Sequence, residues 1–178
     1  MNNKKTLELF GYQLGLVTFI RLSTILRLSH YVIYMHPKYL LRALLIITSS
    51  VIATPLHLLE WWIYRKKIEN IEIKKPPIFI IGHWRSGTTH LHNLMCLDPA
   101  FGYLKMYQAI VPDCSIIGGN WLKRWLGMAL PTKRPMDNMV WNMETPQEEE
   151  VALCRMMPHS FYTQFIFPKK ALELFDKN

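Results

Sequence analysis

The sequence predicts an α/β fold whose central unit is a strand, a tight turn and a helix, preceded by an apolar helical region. The apolar run 78–81 follows two prolines, which is typical of a short buried strand. Residues 82–89 carry two glycines and three hydroxyls, and apolar residues then recur at helical spacing from Leu91 onward. A chain of 178 residues is long enough for one domain with a sizeable core.

Composition narrows the class of protein only slightly. Half of the residues are apolar, and 21 Lys and Arg against 13 Asp and Glu give a formal net charge of +8. This charge suits an anionic nucleotide, an anionic membrane surface or nucleic acid equally well.

The cysteines indicate neither a disulfide framework nor a zinc site. Cys96, Cys114 and Cys154 are odd in number and have no C-x-x-C spacing. We interpret them as small buried apolar residues, and we expect no metal and a reducing compartment.

The N-terminal region, residues 1–72, contains two apolar runs that predict helices. The second extends from about Tyr39 to Tyr64, and the 17 residues between Arg42 and Glu60 include no Asp, Glu, Lys or Arg. A helix needs about 20 such residues to span a bilayer, so this run is at the short limit.

The first run, from Leu14 to Tyr34, is interrupted by Arg21 and Arg27. Each would cost about 2.5–3.5 kcal/mol near the bilayer centre. Three arrangements stay open: two spanning helices with both ends in the cytoplasm, helices lying in the membrane surface, or buried core helices. We favour the second, and the basic cluster 65–67 after an aromatic group indicates a cytoplasmic catalytic part.

The charged stretch before the two prolines predicts a boundary, with a second domain over residues 73–178. In it, a helix is predicted from Thr88 to Leu97. Glycines at 118 and 119 predict a turn that precedes a core-facing helix. That helix is predicted from the spacing of Trp121, Leu122, Trp125 and Leu126.

The turn over residues 82–89 predicts an anion site. Backbone N–H groups and the positive end of a helix dipole would converge there, which favours a phosphate. The spacing is that of the phosphate-cradling G-x-x-x-x-G loop, but Thr88 occupies the place of the nucleoside triphosphatase Lys, and the cation is Arg85. The missing Lys argues against ordinary ATP chemistry.

Residues 145–150 read as a helix start with a cluster of acids. Thr145 fits the N-cap, Pro146 the first helical position and Glu148 the reciprocal capping position. Acids at a helix N-terminus complement the helix dipole and need no catalytic role to be there. A free general base would more readily be Glu149 or Glu150.

Both segments resemble motifs of one family. Residues 82–89 resemble the 5′-phosphosulfate-binding loop of sulfotransferases that use 3′-phosphoadenosine 5′-phosphosulfate (PAPS). The segment 134–139, followed by 144–153, is similar to the second signature of a group of membrane-associated, bacterial-type members. Together the resemblance covers roughly residues 76–168.

The resemblance implies a P-loop-like parallel sheet flanked by helices, and PAPS as cofactor without a metal. Arg85 would stabilise charge on the transferred group, and a carboxylate would deprotonate the acceptor, a hydroxyl of a lipid, sterol or glycan. The implied cofactor-binding residues are Trp84, Arg85, Ser86, Gly87, Thr88 and Thr89. The implied catalytic residues are Arg85, Glu148, Glu149 and Glu150, with His83, His90, His92 and His159 as alternative bases.

The resemblance also implies that this sheet is incomplete. Members carry a later strand and helix with an Arg and a Ser that hold the 3′-phosphate, and no such element precedes Asn178. We therefore expect the N-terminal part of a longer enzyme, inactive alone, with a small-molecule, glycan or lipid acceptor and no nucleic acid partner.

Two other functions stay open on the sequence. A P-loop kinase or nucleoside triphosphatase would bind ATP with Mg²⁺. A noncatalytic membrane module would use the apolar helices and basic charge to bind anionic lipid.

Overall fold

The computed structural model describes residues 18–29, 37–83, 86–129 and 142–163, with the side chains of residues 38 and 129 excepted. Helices and irregular segments make up these ranges. The α-helices are α1 (Leu22–Leu28), α2 (Leu40–Glu69), α3 (Thr88–Met95), α4 (Met106–Ile110), α5 (Ser115–Ala129) and α6 (Glu149–Met156). Short 3-10 turns lie at Pro37–Tyr39 and Pro112–Cys114.

The strand predicted over residues 78–81 is not formed. This segment is irregular, and Phe79 and Ile81 are 79% and 92% exposed. A strand needs a neighbour to complete its hydrogen-bond ladder, and within the described ranges the only bridge joins Lys105 to Pro146. In the described part of the chain, the apolar pattern is therefore present without a sheet that would bury it.

The second apolar run forms a helix as predicted, and α2 extends over 30 residues. It is long and apolar enough to cross a membrane, and little of its apolar stretch is buried. The described part of the first run forms the seven-residue α1. The rest of that run lies outside the described residues. The domain boundary near residue 72 stays a prediction.

The core forms where α4, α5 and the Pro112–Cys114 turn meet. The helical prediction for α5 is confirmed, but only Leu122 and Leu126 face the core, whereas Trp121 and Trp125 are more than half exposed. The predicted turn at the glycines is instead a kink inside α5, because Gly119 has φ 42° and ψ −131°. The buried cluster comprises Met106, Ile110, Val111, Cys114, Leu122, Leu126 and Met143.

A buried carboxylate joins α2 to α5. Glu60 is 6% exposed and accepts hydrogen bonds from the backbone N–H groups of Ile116 and Ile117, each at 2.9 Å. These donors belong to the first turn of α5, where backbone N–H groups lack helical partners. Burial raises the pKa of Glu60, although the two donors oppose that shift. Glu60 therefore caps a helix distant in sequence.

A second polar contact ties α1 to the same region. The Arg21 guanidinium donates to both carboxylate oxygens of Asp113, with Nε to Oδ2 at 3.0 Å. The Nδ1 atom of His57 lies 3.6 Å from Asp113 Oδ1. The backbone N–H of Arg21 donates to the carbonyl of Arg155 at 2.8 Å, and Arg155 Nε donates to the Thr18 carbonyl at 3.1 Å.

The segment before α6 pairs with the start of α4. Met106 N–H donates to the Thr145 carbonyl at 2.9 Å, and this pairing holds Pro146 beside Lys105. As a result α6 begins at Glu149 with Glu148 as its N-cap, and the prediction of Thr145 as N-cap and Pro146 as first helical residue is wrong.

The capping role predicted for Glu148 is also wrong. Glu148 occupies the N-cap position of α6, and its side chain makes no capping hydrogen bond there. The Thr145 hydroxyl instead donates to Asn142 Oδ1 at 3.2 Å and accepts from the Asn142 N–H at 3.1 Å. It therefore closes a turn upstream of the helix.

Glu144 forms an ion bridge across this pairing. Its carboxylate lies 2.6 Å from Lys105 Nζ and also accepts a hydrogen bond from Lys123 Nζ on α5. The two ammonium groups lower the pKa of Glu144. The bridge therefore stabilises the fold in the ionised state.

We predict that Glu60→Ala destabilises the protein by about 1–3 kcal/mol, because two buried N–H donors lose their acceptor. Glu60→Gln keeps an oxygen acceptor without the desolvated charge, so it should cost less. Urea unfolding followed by circular dichroism measures both, with the exposed Glu69→Gln on the same helix as control. Equal stability of Glu60→Ala and the wild type would contradict the capping role.

The ion bridge predicts a pH dependence of stability. Because the pKa of Glu144 is lower folded than unfolded, its contribution is complete above the ordinary glutamate range and is lost as pH falls through the folded pKa. Glu144→Gln should therefore be less stable than wild type at neutral pH, and the difference should vanish in acid. A difference that persists unchanged at low pH would exclude this origin.

Candidate functional site

The loop that the sequence singled out enters α3 through a left-handed glycine. Gly87 is the N-cap of α3 with φ 92°, a conformation that residues with a Cβ rarely adopt. The N–H of Ser86 donates to the His83 carbonyl at 3.1 Å and closes the turn. The predicted residues Trp84 and Arg85 lie outside the described residues. Ser86, Gly87, Thr88 and Thr89 are adjacent at the helix start.

The other glycine of the motif is required by a close approach. A Cβ on Gly82 would lie 2.6 Å from Ser86 Oγ and 2.7 Å from Thr88 Cγ2, distances that real Cβ atoms do not show. The backbone at Gly82 therefore packs directly under the side chains of Ser86 and Thr88. Each glycine of the G-x-x-x-x-G spacing has a structural reason in the loop.

The start of α3 can accept an anion. Gly87 has no side chain with which to cap it, and no side chain of the described ranges bonds to the cap position. Ser86 and Gly87 are exposed, while Thr88 and Thr89 are half-buried. Free N–H groups and the helix dipole both favour a negative group at this position.

The three glutamates of the second segment differ in their surroundings. The Glu150 carboxylate accepts hydrogen bonds from Ser160 Oγ at 2.6 Å and from the backbone N–H of Phe161. The Glu148 carboxylate accepts one from the Tyr162 hydroxyl at 2.8 Å. Both acids thereby hold the segment that follows α6. Glu150 in particular has an evident structural role.

Glu149 is exposed, as Glu148 is, but it differs from Glu148 in its partners. Within the described ranges it makes no hydrogen bond or ion pair, and its charge contributes, after burial, to the raised pKa of Cys96. Cys96 follows the last residue of α3, so Glu149 lies beside the helix that the loop begins. The eight residues of α3 separate the loop from that end by about 12 Å along the helix axis.

The cysteines and histidines offer no stronger site. Burial raises the pKa of Cys114 to about 12 and also raises the pKa of Cys154, so neither thiol is poised as a nucleophile. The described ranges contain no cluster of three His, Cys, Asp or Glu that could hold a metal. His90 on α3 and His159 after α6 are exposed.

Arg155 is a buried charge whose role the sequence did not reveal. It is fully buried, burial lowers its pKa to about 10, and its guanidinium bonds to the backbone carbonyls of Thr18 and Val151. Nothing in the sequence around Arg155, in the last turn of α6, indicates that it contacts the N-terminal region. Arg155 therefore acts as a structural link.

Comparison with known proteins agrees with the loop geometry. The model of the Sulfotransferase family matches residues 76–178. The omega-hydroxy-beta-dihydromenaquinone-9 sulfotransferases Stf3 of Mycobacterium bovis and Mycobacterium tuberculosis are each 31% identical over 121 residues, which is 68% of this chain. The chain spans 31% of the length of these relatives. No solved structure gives a significant match.

The matched region contains the glycine loop, α3 and the acidic start of α6, and it supports the predicted family. Membership of that family implies a P-loop-like α/β fold. The described residues contain helices of such a fold and no strand. The chain belongs to the sulfotransferase family.

Proposed function

We propose that this chain provides part of a PAPS-dependent sulfotransferase that transfers a sulfuryl group to a hydroxyl of a lipid, sterol or glycan. The observation that carries the proposal is the tight Gly82 turn, which leads into the open N-terminus of α3 in a member of this family. Among acceptors, a lipid is favoured because the named relatives act on a hydroxylated menaquinone derivative.

The loop suits the 5′-phosphosulfate of this cofactor. PAPS, when bound, supplies an activated sulfuryl group on its 5′-phosphate. The N–H groups at the start of α3 and the hydroxyls of Ser86, Thr88 and Thr89 would hold the phosphate, with Trp84 completing the loop. Arg85 would stabilise negative charge on the sulfuryl and leaving oxygens.

Glu149 is our candidate for the general base, and because it lies near the end of α3 opposite the loop, the complete domain would have to bring the acceptor hydroxyl between the two. Glu150 and Glu148 already accept hydrogen bonds from the segment after α6, whereas the Glu149 carboxylate is exposed and unpaired within the described ranges. A positioned carboxylate can take the proton of an attacking hydroxyl. Glu148 and Glu150 would then orient the start of α6.

The activity itself is proposed for a complete domain. Because the chain spans 31% of the length of the named relatives, residues outside it would hold the 3′-phosphate, and we propose that the chain is inactive alone. We further propose that α2 associates with a membrane and that the catalytic part faces the cytoplasm, on the side of the basic cluster 65–67.

Nucleotide binding tests the loop. By isothermal titration, the chain should bind PAPS and adenosine 5′-phosphosulfate with similar affinity, since the 3′-phosphate has no partner in this half-site. Arg85→Ala should weaken both by about tenfold or more, because a charged hydrogen bond contributes about 1.5–3 kcal/mol. Lys74→Ala, an equal charge change on an exposed residue, should have little effect. Binding of ATP with Mg²⁺ but of neither sulfated nucleotide would contradict the proposal.

The choice of base is tested by two matched amide variants in a complete sulfotransferase domain that carries this sequence. Glu149→Gln should lower kcat by about 10²–10⁴-fold with unchanged unfolding, as expected for loss of general base catalysis. Glu150→Gln should mainly lower the unfolding midpoint, because Ser160 and the Phe161 N–H lose a charged acceptor. Full activity of Glu149→Gln would exclude it as the base.

A further inference from the structure

One side of α2 packs against the protein and the remainder is exposed. The packed side combines Leu56, which contacts the apolar core, with three polar residues. Ser49 accepts a hydrogen bond from the Phe19 N–H, His57 lies beside Asp113, and Glu60 caps α5. The other sides expose large apolar residues along the whole helix. They include Leu41, Leu44, Val51, Ile52, Leu58 and Trp62.

The hydroxyl groups of α2 do not require water. Thr48, Ser49, Ser50 and Thr54 each donate to a backbone carbonyl three or four residues earlier in the same helix, at 2.7–2.9 Å. Thr48 does so although it lies on the exposed side. Hydroxyls in a hydrocarbon environment must be satisfied in this way within their own helix.

The tryptophans of α2 and α5 have the exposure of membrane-interface residues. Trp61, Trp62, Trp121 and Trp125, the four tryptophans within the described ranges, are all more than half exposed. Tryptophan is on average highly buried in soluble proteins, but it is enriched where membrane meets water. Glu60 of α2 bonds to the first turn of α5, so the two helices that carry these tryptophans are held together.

The charge along α2 matches an anionic surface. Between Arg42 and Arg65 the only charged residue is Glu60, and its carboxylate is buried. Arg65 then lies over the Trp61 ring, 4.6 Å from its centroid, and the exposed Lys66 and Lys67 follow. Apolar and tryptophan residues next to a basic cluster are typical of surfaces that bind anionic lipid.

The packing of α2 is incompatible with a transmembrane span. On its packed side, His57 lies close to the middle of the helix and beside Asp113, whose carboxylate binds Arg21. If α2 crossed a bilayer, these charged groups and the N-terminus of α5 would enter the hydrocarbon. A helix that lies in the plane of the interface keeps them on the protein side.

We propose that the exposed side of α2, together with Trp121 and Trp125 of α5, is a membrane-docking surface that lies in the interface of a bilayer containing anionic phospholipid. The inference deepens the proposed membrane association and is independent of the proposed chemistry. The basic residues 65–67 contact lipid headgroups, and α2 lies parallel to the membrane plane.

Depth measurements test this orientation. Leu41, Ile52 and Ile63 are 11 positions apart, about three helical turns, so they lie on one face of α2. Each is replaced by Cys in a Cys96→Ser background, since Cys114 and Cys154 are buried, and labelled with an environment-sensitive fluorophore. With vesicles of equal phosphatidylcholine and phosphatidylserine, shallow and deep lipid quenchers should place all three labels at the same shallow depth.

Other outcomes of this experiment overturn the proposal. A deep label at Ile52 with shallow labels at Leu41 and Ile63 would show a transmembrane helix. Absence of quenching at all three positions would show that α2 is covered by protein rather than lipid. Circular dichroism of each variant confirms that the comparison is made between folded proteins.

Lipid charge is tested by vesicle flotation with two matched double variants. Lys66→Gln with Lys67→Gln should weaken binding to phosphatidylserine vesicles by at least tenfold, whereas Lys74→Gln with Lys75→Gln should have a clearly smaller effect. Equal affinity for pure phosphatidylcholine vesicles, or equal losses in the two variants, would contradict the proposal. Titration of adenosine 5′-phosphosulfate without vesicles separates the two proposals. If the chain does not bind this nucleotide, the proposed chemistry is overturned and the proposed lipid docking is unaffected.

Discussion

The contact between Glu60 and the first turn of α5 determines how the rest of this protein is arranged. It places the one charged residue between Arg42 and Arg65 on the packed side of α2, and it satisfies two backbone donors that have no helical partners. The same packed side of α2 includes His57 beside Asp113, whose carboxylate holds Arg21. A long apolar helix thereby acquires one fixed face toward the protein and one toward its surroundings.

Local patterns in the sequence were sufficient for α2, α3 and α5. The apolar run of α2, the spacing of Leu122 and Leu126, and the residues after Gly87 each specify a helix through neighbours within a few positions. The strand at 78–81 differs because it depends on hydrogen bonds to a distant segment. The start of α6 was misplaced for the same reason, since the pairing of Pro146 with Lys105 is not encoded near either residue.

In the candidate site, too, the features set by neighbouring residues were predictable and those set by distant segments were not. The glycine loop was predictable because its requirements are local: a left-handed φ at Gly87 and no room for a Cβ at Gly82. The three acids could not be distinguished from sequence, because their surroundings depend on Ser160 and on the turn that follows it. The structure separates them, with Glu150 engaged in hydrogen bonds and Glu149 exposed.

If both proposals hold, the loop and the docking surface would belong to an enzyme that meets an apolar acceptor at the membrane interface. The most direct test is transfer of radioactive sulfur from labelled PAPS to a hydroxylated lipid in vesicles by a complete domain that carries this sequence. The account predicts a labelled lipid product whose formation depends on Arg85 and needs no ATP. Transfer of phosphorus from ATP, or a labelled product formed equally well by Arg85→Ala, would contradict it.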